Sequence, residues 1–252
     1  MVKIIFIFTI LLISVQFAIS QVMKVHTTSG VDEYNISDID SITFTIVDTS
    51  MIYLINDEFE NYTIGSFPAS GGWYERYNGS GQNIVDNAHA HSGTKSFRLQ
   101  GLSSWSATIE NHNAGWQSNC TAMGYEIYFF TNGGDHSMGF LDYSPIWGLS
   151  YGTIIFAQNG NIVADSAGTG VNIMPYTFGQ WYKVKVEVEN MYPYKFRVWI
   201  DNIYMGEYQS PESSNHSIAE SYFHINAGHV GNFGWFDDAK VWYVGGNSNT
   251  AP

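Results

Sequence analysis

The chain has 252 residues, with 23 acidic against 10 basic side chains and a formal net charge of −13 at pH 7. A surface of this sign repels nucleic acid and anionic lipid, so neither is expected as a partner. Aromatic residues make up 16% of the chain and 25 residues are glycine, which is typical of a β protein with many turns.

A signal peptide is predicted at residues 1–20. Lys3 supplies a short positive region, residues 4–13 are apolar, and Ala18 and Ser20 are the small residues that a signal peptidase requires. The apolar run is too short to favour a helix that spans a bilayer, although a retained anchor stays open as the alternative. No later stretch is apolar enough to span, so we expect a mature chain without a membrane span, secreted or held at the cell surface, in the periplasm or outside the cell.

A short N-terminal β leader is predicted at residues 21–50. Its apolar stretches at 22–25 and 36–44 resemble a segment found at the start of exported Bacteroidetes-type proteins. Alone it is too small to bury a core. It therefore either docks on the domain that follows or is a mobile leader.

One domain is predicted over residues 53–245, because strand-like alternation is frequent and the span suits one domain better than two. Turn signals such as Asn132-Gly133-Gly134 and Asn159-Gly160 separate the strands. Residues 246–252 are linker-like, and the natural chain either ends there or continues into further modules. Strands are expected at 53–59, 95–100, 105–111, 123–130, 138–143, 152–157, 181–189, 194–201, 221–227 and 236–243.

The clearest hairpin lies within residues 181–201, where apolar and charged residues alternate on both strands. One register places Glu187 opposite Arg197 and Lys185 opposite Trp199, which gives complementary charges and a cation–π contact. A slip of one residue would turn the charges toward the core. The pattern predicts a solvated outer face and an apolar inner face.

Acidic pairs stand near both ends of the predicted domain. Asp57 and Glu58 belong to the first strand, and Asp237 and Asp238 belong to the last one. If the two strands pair, these carboxylates meet and could hold a hard cation, which prefers oxygen ligands.

Five short motifs are spread along the predicted domain: Asp57-Glu58-Phe59-Glu60, Ser92-Gly93-x-x-Ser96, Trp181-Tyr182-Lys183-Val184, Val198-Trp199-Ile200-Asp201-Asn202 and Trp235-Phe236-Asp237-Asp238-Ala239-Lys240-Val241. With these motifs, the span 53–245 resembles a concanavalin A-like jelly roll of the laminin G and glucanase type. The resemblance implies an all-β jelly-roll sandwich of two antiparallel sheets, and a galactose-binding-like jelly roll is the alternative fold. Members of the concanavalin A-like superfamily include lectins, carbohydrate-binding modules, glycoside hydrolases, polysaccharide lyases and adhesive domains, so the fold does not settle the function.

The resemblance also implies a structural calcium ion. Asp57 or Glu58 would supply a carboxylate together with Asp237 or Asp238, and the carbonyl of Lys95 would add an oxygen. In the alternative interpretation these acids only cap strand ends in water.

Enzyme motifs are incomplete. The Glu-x-Asp-x-x-Glu pattern of retaining glucanases of this fold is absent from the sequence, and Glu110 has no obvious acidic partner. The segment Tyr222-Phe223-x-x-x-Ala227-Gly228 is similar to a tyrosine-bearing strand of jelly-roll alginate lyases, and Tyr222 and His224 would share a face. The companion Arg-x-Glu-Leu-Arg and Gln-Ile-His motifs are missing, so we interpret both residues as ordinary sheet residues.

Aromatic residues with nearby Asp and Asn are the best candidates for ligand binding, because sugar rings expose an apolar face beside their hydroxyl groups. The candidates are Trp105, Trp116, Asp142, Tyr143, Trp147, Tyr151 and Asn226. We therefore predict a non-catalytic, exported carbohydrate-binding or adhesive module whose partner is a polysaccharide or glycan. The alternatives are a glycoside hydrolase or polysaccharide lyase of the same fold and a structural surface domain that binds no sugar.

Overall fold

The chain divides into two compact units, Met1–Ile46 and Val47–Pro252. The signal peptide and the linker-like tail predicted above lie outside the described residues. Among the described residues, no helix is long and hydrophobic enough to cross a membrane. The computed structural model describes residues 22–27, 30–35, 51–102, 106–117, 120–142, 149–189, 193–210, 222–228 and 233–245.

Strands make up most of the described chain, with one short 3₁₀ turn at Ala69–Gly71. In the first unit, β1 and β2 form an antiparallel hairpin. The strands are Val22–Thr27 (β1), Gly30–Asn35 (β2), Met51–Asp57 (β3), Trp73–Asn78 (β4), Ile84–Asp86 (β5), Ser96–Gln100 (β6), Ala107–Gly115 (β7), Cys120–Thr131 (β8), His136–Asp142 (β9), Leu149–Phe156 (β10), Asn161–Ser166 (β11), Thr169–Pro175 (β12), Trp181–Glu189 (β13), Lys195–Ile200 (β14), Ile203–Gln209 (β15), Tyr222–Ala227 (β16) and Phe233–Gly245 (β17).

The second unit is a sandwich of two sheets. One sheet has seven strands in the order β12-β11-β10-β9-β16-β7-β4, and the other has eight, in the order β15-β14-β13-β8-β17-β6-β5 with β3 also paired to β17. The pairings are antiparallel, so the predicted all-β jelly-roll sandwich is confirmed. The first and last strands of the unit do pair, with Asp57 opposite Ala239.

The predicted hairpin register is confirmed. In β13 and β14, Lys185 lies opposite Trp199 and Glu187 opposite Arg197. The Lys185 ammonium is 4.8 Å from the centre of the Trp199 ring. Arg197 forms its ion pair diagonally with Glu189, at 3.4 Å. The valines that alternate with these residues are buried.

A buried tyrosine joins the two sheets. The Tyr125 hydroxyl, on β8, is a donor to two carbonyls of the opposite sheet. They belong to Gly152, at 2.8 Å, and Met138, at 3.2 Å. Gly152 lies at a bulge of β10 with φ +60, and a Cβ there would be 2.6 Å from Val188. Glycine is therefore required where this bulge turns its carbonyl toward Tyr125.

Some short strands were not predicted from the sequence, including β11, β12 and β15. They are joined to their neighbours by two-residue turns at Ala167-Gly168 and Asp201-Asn202, whose residues all have positive φ. Such turns match the twist of a hairpin. The sequence indicates the turn at Ala167-Gly168 only weakly, because Gly168 is its one typical turn residue.

Candidate functional site

A row of residues crosses the seven-stranded sheet on the side that faces away from the core. Tyr74 on β4 lies opposite Glu110 on β7, which lies opposite His224 on β16. His224 lies opposite Gly139 on β9. A Cβ on Gly139 would be 2.5 Å from the hydroxyl oxygen of Thr153 on β10, so Thr153 is the next residue across. We call these five residues the polar row.

Within the part of the chain that the structure describes, three buried atoms of the polar row have no hydrogen-bond partner. They are Oε1 of Glu110, Nδ1 of His224 and Oγ1 of Thr153. Their residues are only 2%, 2% and 4% exposed. A buried polar atom without a partner costs about 1–3 kcal/mol, so three in one row indicate a place where water or a ligand completes the bonding.

Burial controls the charge of His224. It lowers the pKa of this side chain to about 4, although a hydrogen bond to the backbone of Gly139 acts in the opposite direction. His224 is therefore neutral at pH 7. The ring of His224 bonds to the backbone of Gly139, whereas its Nδ1 has no partner among the described residues, and the unpartnered Oε1 of Glu110 is an acceptor.

Aromatic rings stand beside the row. His112 Nε2 is 3.2 Å from the second oxygen of Glu110. The His112 ring stacks on Tyr74, with ring centres 4.8 Å apart and an angle of 28°, and it contacts Tyr222 at 4.8 Å on its other side. Tyr74 is 50% exposed and Tyr222 is 36% exposed, so two ring surfaces at this site face solvent.

A second row runs two residues further along the strands. Asn226 lies between Thr108 and Ser137, and its amide donates to the Thr108 hydroxyl at 3.3 Å. Tyr77 on β4 lies opposite Thr108, and Ile155 on β10 lies opposite Ser137, so both residues continue this row across the sheet. A cavity of about 200 Å³ opens beside Asn226 and is lined by Asp135, His136, Ser137, Ile155, Asn226 and Gly228.

The candidates for ligand binding are dispersed in the structure. Asn226 lies at the site just described, and Asp142 ends β9. Tyr151 and Trp116 are only 1% and 6% exposed, because both rings pack in the core between the sheets, and this burial does not favour a role in ligand binding. Trp105, Tyr143 and Trp147 lie outside the described residues.

The residues predicted to bind calcium are Asp57, Glu58, Lys95, Asp237 and Asp238. Four of them, Asp57, Lys95, Asp237 and Asp238, lie with Glu60 near the pairing of β3 with β17, and we call these five residues the closing corner. Asp57 accepts hydrogen bonds from the Tyr62 hydroxyl at 2.6 Å, the Trp73 indole at 2.8 Å and the Phe59 amide at 3.0 Å. Glu58, by contrast, is exposed.

Asp237 and Asp238 accept their bonds from the loop before β6. The Asp237 carboxylate accepts hydrogen bonds from the backbone amides of His91 at 2.8 Å and Ser92 at 3.2 Å. The Asp238 carboxylate accepts hydrogen bonds from the Ser92 hydroxyl and from Nδ1 of His91, each at 2.7 Å. Burial raises the pKa of Asp237 to about 6, and the amides of Ser92 and His91 oppose that rise.

Lys95 places a cation inside this corner. Its ammonium donates to the carbonyls of Glu60 at 2.7 Å and Tyr62 at 2.9 Å. The Glu60 carboxylate in turn accepts the amides of Thr94 and Lys95. A Cβ on Gly93, which has φ +58, would be 2.5 Å from that carboxylate, so glycine is required in this loop.

This arrangement does not fit a calcium shell. The carboxylate oxygens of Asp57, Asp237 and Asp238 already accept protein donors, and an ammonium bonds two of the nearby carbonyls. Within the described part of the chain, no three histidine, cysteine or carboxylate side chains form a group suited to a metal. Calcium binding therefore stays a prediction.

Sequence reasoning missed the polar row. The sequence alone predicts no acidic partner for Glu110 and ordinary sheet positions for Tyr222 and His224, whereas the register brings Glu110 and His224 side by side. The available signal was alternation: Thr108, Glu110 and His112 share a face, as do Tyr222, His224 and Asn226. Only the pairing of β7 with β16 joins the two sets.

The fold is shared with solved structures of low identity. A sialidase aligns with a TM-score of 0.57 at 12% identity over 81% of this chain and 19% of its own, so this chain spans about a fifth of its length. A carbohydrate esterase from the Shiga toxin-encoding bacteriophage phi24B aligns at 0.53 and 11% identity, over 78% of this chain and 100% of its own. The endo-1,3-beta-glucanase of Streptomyces sioyaensis aligns at 0.50 and 12% identity, over 82% and 100%.

No protein-family model and no curated protein matches the chain. The structural matches show the fold alone at these identities, and the glucanase and esterase align along their whole length with most of this chain. The protein therefore has a concanavalin A-like jelly-roll fold, in agreement with the sequence prediction.

Proposed function

We propose that the protein binds a glycan on the outer face of the seven-stranded sheet, centred on the polar row. The observation that carries this proposal is the set of three buried, unpartnered atoms on Glu110, His224 and Thr153. Glu110 Oε1 is an acceptor, and the neutral His224 ring and the Thr153 hydroxyl can each accept or donate, so the best ligand is one that brings hydroxyl groups. A neutral polyol such as a sugar meets that requirement, and an anion does not, because it would meet the Glu110 carboxylate.

The exposed rings supply the second half of a carbohydrate site. Tyr74 and Tyr222 flank His112 and present apolar faces to solvent. A pyranose can stack on such a ring while one of its hydroxyl groups is linked to the polar row through an ordered water. Asn226 and the cavity beside it extend the site along the sheet.

Affinity electrophoresis of the full chain against neutral and uronic polysaccharides tests this proposal. We expect a neutral polysaccharide to retard the protein, and we expect Tyr222→Ala and Glu110→Gln to abolish the retardation. Glu207→Gln is the matched control, because Glu207 is an exposed carboxylate on the other sheet. Retardation that survives both site variants would place binding elsewhere, and no retardation on any gel would favour a structural domain.

A second candidate function is catalysis by proton transfer, as in a polysaccharide lyase. One observation favours it: Tyr222 and the neutral His224 share a face beside Glu110, so acid and base groups stand together. Hydrolysis by paired carboxylates has less support. Asp165 on β11 is four strands from Glu110, or about 19 Å, whereas paired-carboxylate hydrolysis needs roughly 5–9.5 Å.

The same gels separate binding from catalysis. Progressive loss of polymer size, with a new ultraviolet absorbance from a carbon–carbon double bond, would establish elimination. Retardation of a polymer that keeps its size would establish binding. We expect the second result, and Tyr222→Phe would then leave the polymer unchanged as well.

A further inference from the structure

A second cavity lies on the opposite side of the sandwich, on the outer face of the eight-stranded sheet. Its volume is about 160 Å³, and it is lined by Met51, Tyr53, Glu126, Lys185, Lys240 and Trp242. None of these residues belongs to the polar row, so a ligand could occupy this cavity whether or not the polar row binds a glycan.

Two cross-strand rows form this cavity. They run over β13, β8, β17 and β3 in that order, so the cavity is built on paired strands. The first row is Lys185, Glu126, Lys240 and Asn56, and the second is Glu187, Gly124, Trp242 and Tyr53.

Gly124 makes room for the aromatic part of the cavity. A Cβ at this position would be 2.6 Å from the Trp242 ring, so the indole lies directly over the glycine. Trp242 is buried, whereas its cross-strand neighbour Tyr53 is 55% exposed, with ring centres 6.2 Å apart in an edge-to-face arrangement. The cavity thus has a fixed aromatic floor and a solvent-facing aromatic wall.

The charges around the cavity do not cancel. The Lys183 ammonium pairs with Glu126 at 3.0 Å, and the Lys185 ammonium pairs with Glu187 at 2.8 Å. Lys240 lies beside them, and its ammonium forms no ion pair with any residue in the described part of the chain. The cavity lining therefore carries two ammonium groups and one carboxylate, in a protein whose overall charge is −13.

We propose that this cavity is a second carbohydrate subsite, which takes the carboxylate or sulfate of an acidic sugar. Lys240 supplies the charge, and the exposed ring of Tyr53 supplies a face for the sugar ring. The volume corresponds to about five waters, which suits one anionic group with part of its ring. At physiological salt the screening length is about 8 Å, so the local cations outweigh the distant acidic surface.

Titration of the isotope-labelled full chain, followed by NMR, tests this inference. The probes are tetragalacturonate, a sulfated carrageenan oligosaccharide and neutral maltotetraose. We expect the acidic probes, but not maltotetraose, to shift the Trp242 indole signal and the amides of Tyr53 and Lys240. A response to only one acidic probe would support the site and identify the anion as carboxylate or sulfate.

Variants decide the role of the charge. Lys240→Gln should weaken binding of the acidic probe about tenfold, the usual scale for loss of a charge-assisted bond, whereas Lys240→Arg should retain it. Lys195→Gln is the matched control, because Lys195 is an exposed lysine on the same sheet that already pairs with Glu207. Equal shifts with maltotetraose, no shifts with either acidic probe, or full binding by Lys240→Gln would overturn the proposal. Loss of retardation in the polar-row variants would leave these shifts in place, so the two proposals fail separately.

Discussion

The closing corner and the polar row are both clusters of acidic residues and histidine on paired strands, but they differ in how their polar atoms are bonded. At the closing corner the carboxylates of Asp57, Glu60 and Asp237 accept hydrogen bonds at every oxygen. In the polar row, Glu110 and His224 each keep a buried atom without a partner.

This difference separates structure from function. A cluster whose polar atoms all have protein partners stabilises the strands that it joins. It offers a ligand no unpartnered hydrogen-bonding atom. A partly bonded cluster costs stability, and natural proteins tolerate such a cost mainly where a ligand or substrate recovers it. The number of acidic side chains therefore says less about function than their remaining bonding capacity.

The largest effect of a single substitution is expected at the closing corner. Asp57→Ala leaves the Tyr62 hydroxyl and the Trp73 indole without their acceptor, and each such loss costs about 1–3 kcal/mol. We expect the free energy of unfolding in urea to fall by about 4 kcal/mol. Glu58→Ala, one residue along and exposed, is the control and should change it by less than about 0.5 kcal/mol. Similar stability for both variants would remove the structural role assigned to Asp57.

Acid should weaken the fold through its buried histidines. Burial lowers the pKa of His224 and of His136 from 6.5 to about 4. As pH falls from 6.5 to 4, the unfolded chain takes up these protons and the folded chain does not, so each histidine removes about 3 kcal/mol of stability. Asp237 offsets part of this loss, because its raised pKa lets the folded state bind a proton first.

Urea unfolding at pH 7 and pH 4.5 measures this effect. His224→Gln should reduce the difference between the two pH values, because it removes one of the two groups that resist protonation. A difference that is unchanged in this variant would show that His224 is not buried as a neutral side chain.

Glu110→Gln should have a small effect on stability and a large one on binding. The substitution removes a buried charge that has one unpartnered oxygen, so we expect the free energy of unfolding to stay within about 1 kcal/mol or to rise. Retardation by a neutral polysaccharide should be lost at the same time. A loss of several kcal/mol would instead make Glu110 a structural residue like Asp57.

The smallest effect is expected from calcium. The carboxylates that the sequence predicted as ligands already have protein donors, so calcium has little to add at the closing corner. Melting temperatures with calcium and with a chelator should agree within about 1 °C, which corresponds to a few tenths of a kcal/mol. A rise of several degrees with calcium that disappears in Asp238→Ala would support the calcium prediction.

Much of the fold could be predicted from local patterns. The alternation in residues 181–201 specified which side chains are buried and even the register of the hairpin, because its charges are complementary in one alignment only. The weak points were polar edge strands such as β12, whose residues are mostly exposed and carry little apolar alternation. The burial of Tyr151 could not be predicted, because an aromatic residue near a loop has the same sequence pattern whether it faces solvent or the core.

By itself, the sequence determined the acidic charge, the β class and the alternation of buried and exposed residues along strands such as those of the 181–201 hairpin. These depend on composition and on patterns within a few residues. Only the tertiary structure decided that Tyr74, Glu110, Gly139, Thr153 and His224 form one row, because each comes from a different strand. The physical reason is that side-chain direction along a strand is a local property, whereas which strands are neighbours depends on how the whole chain buries its apolar faces.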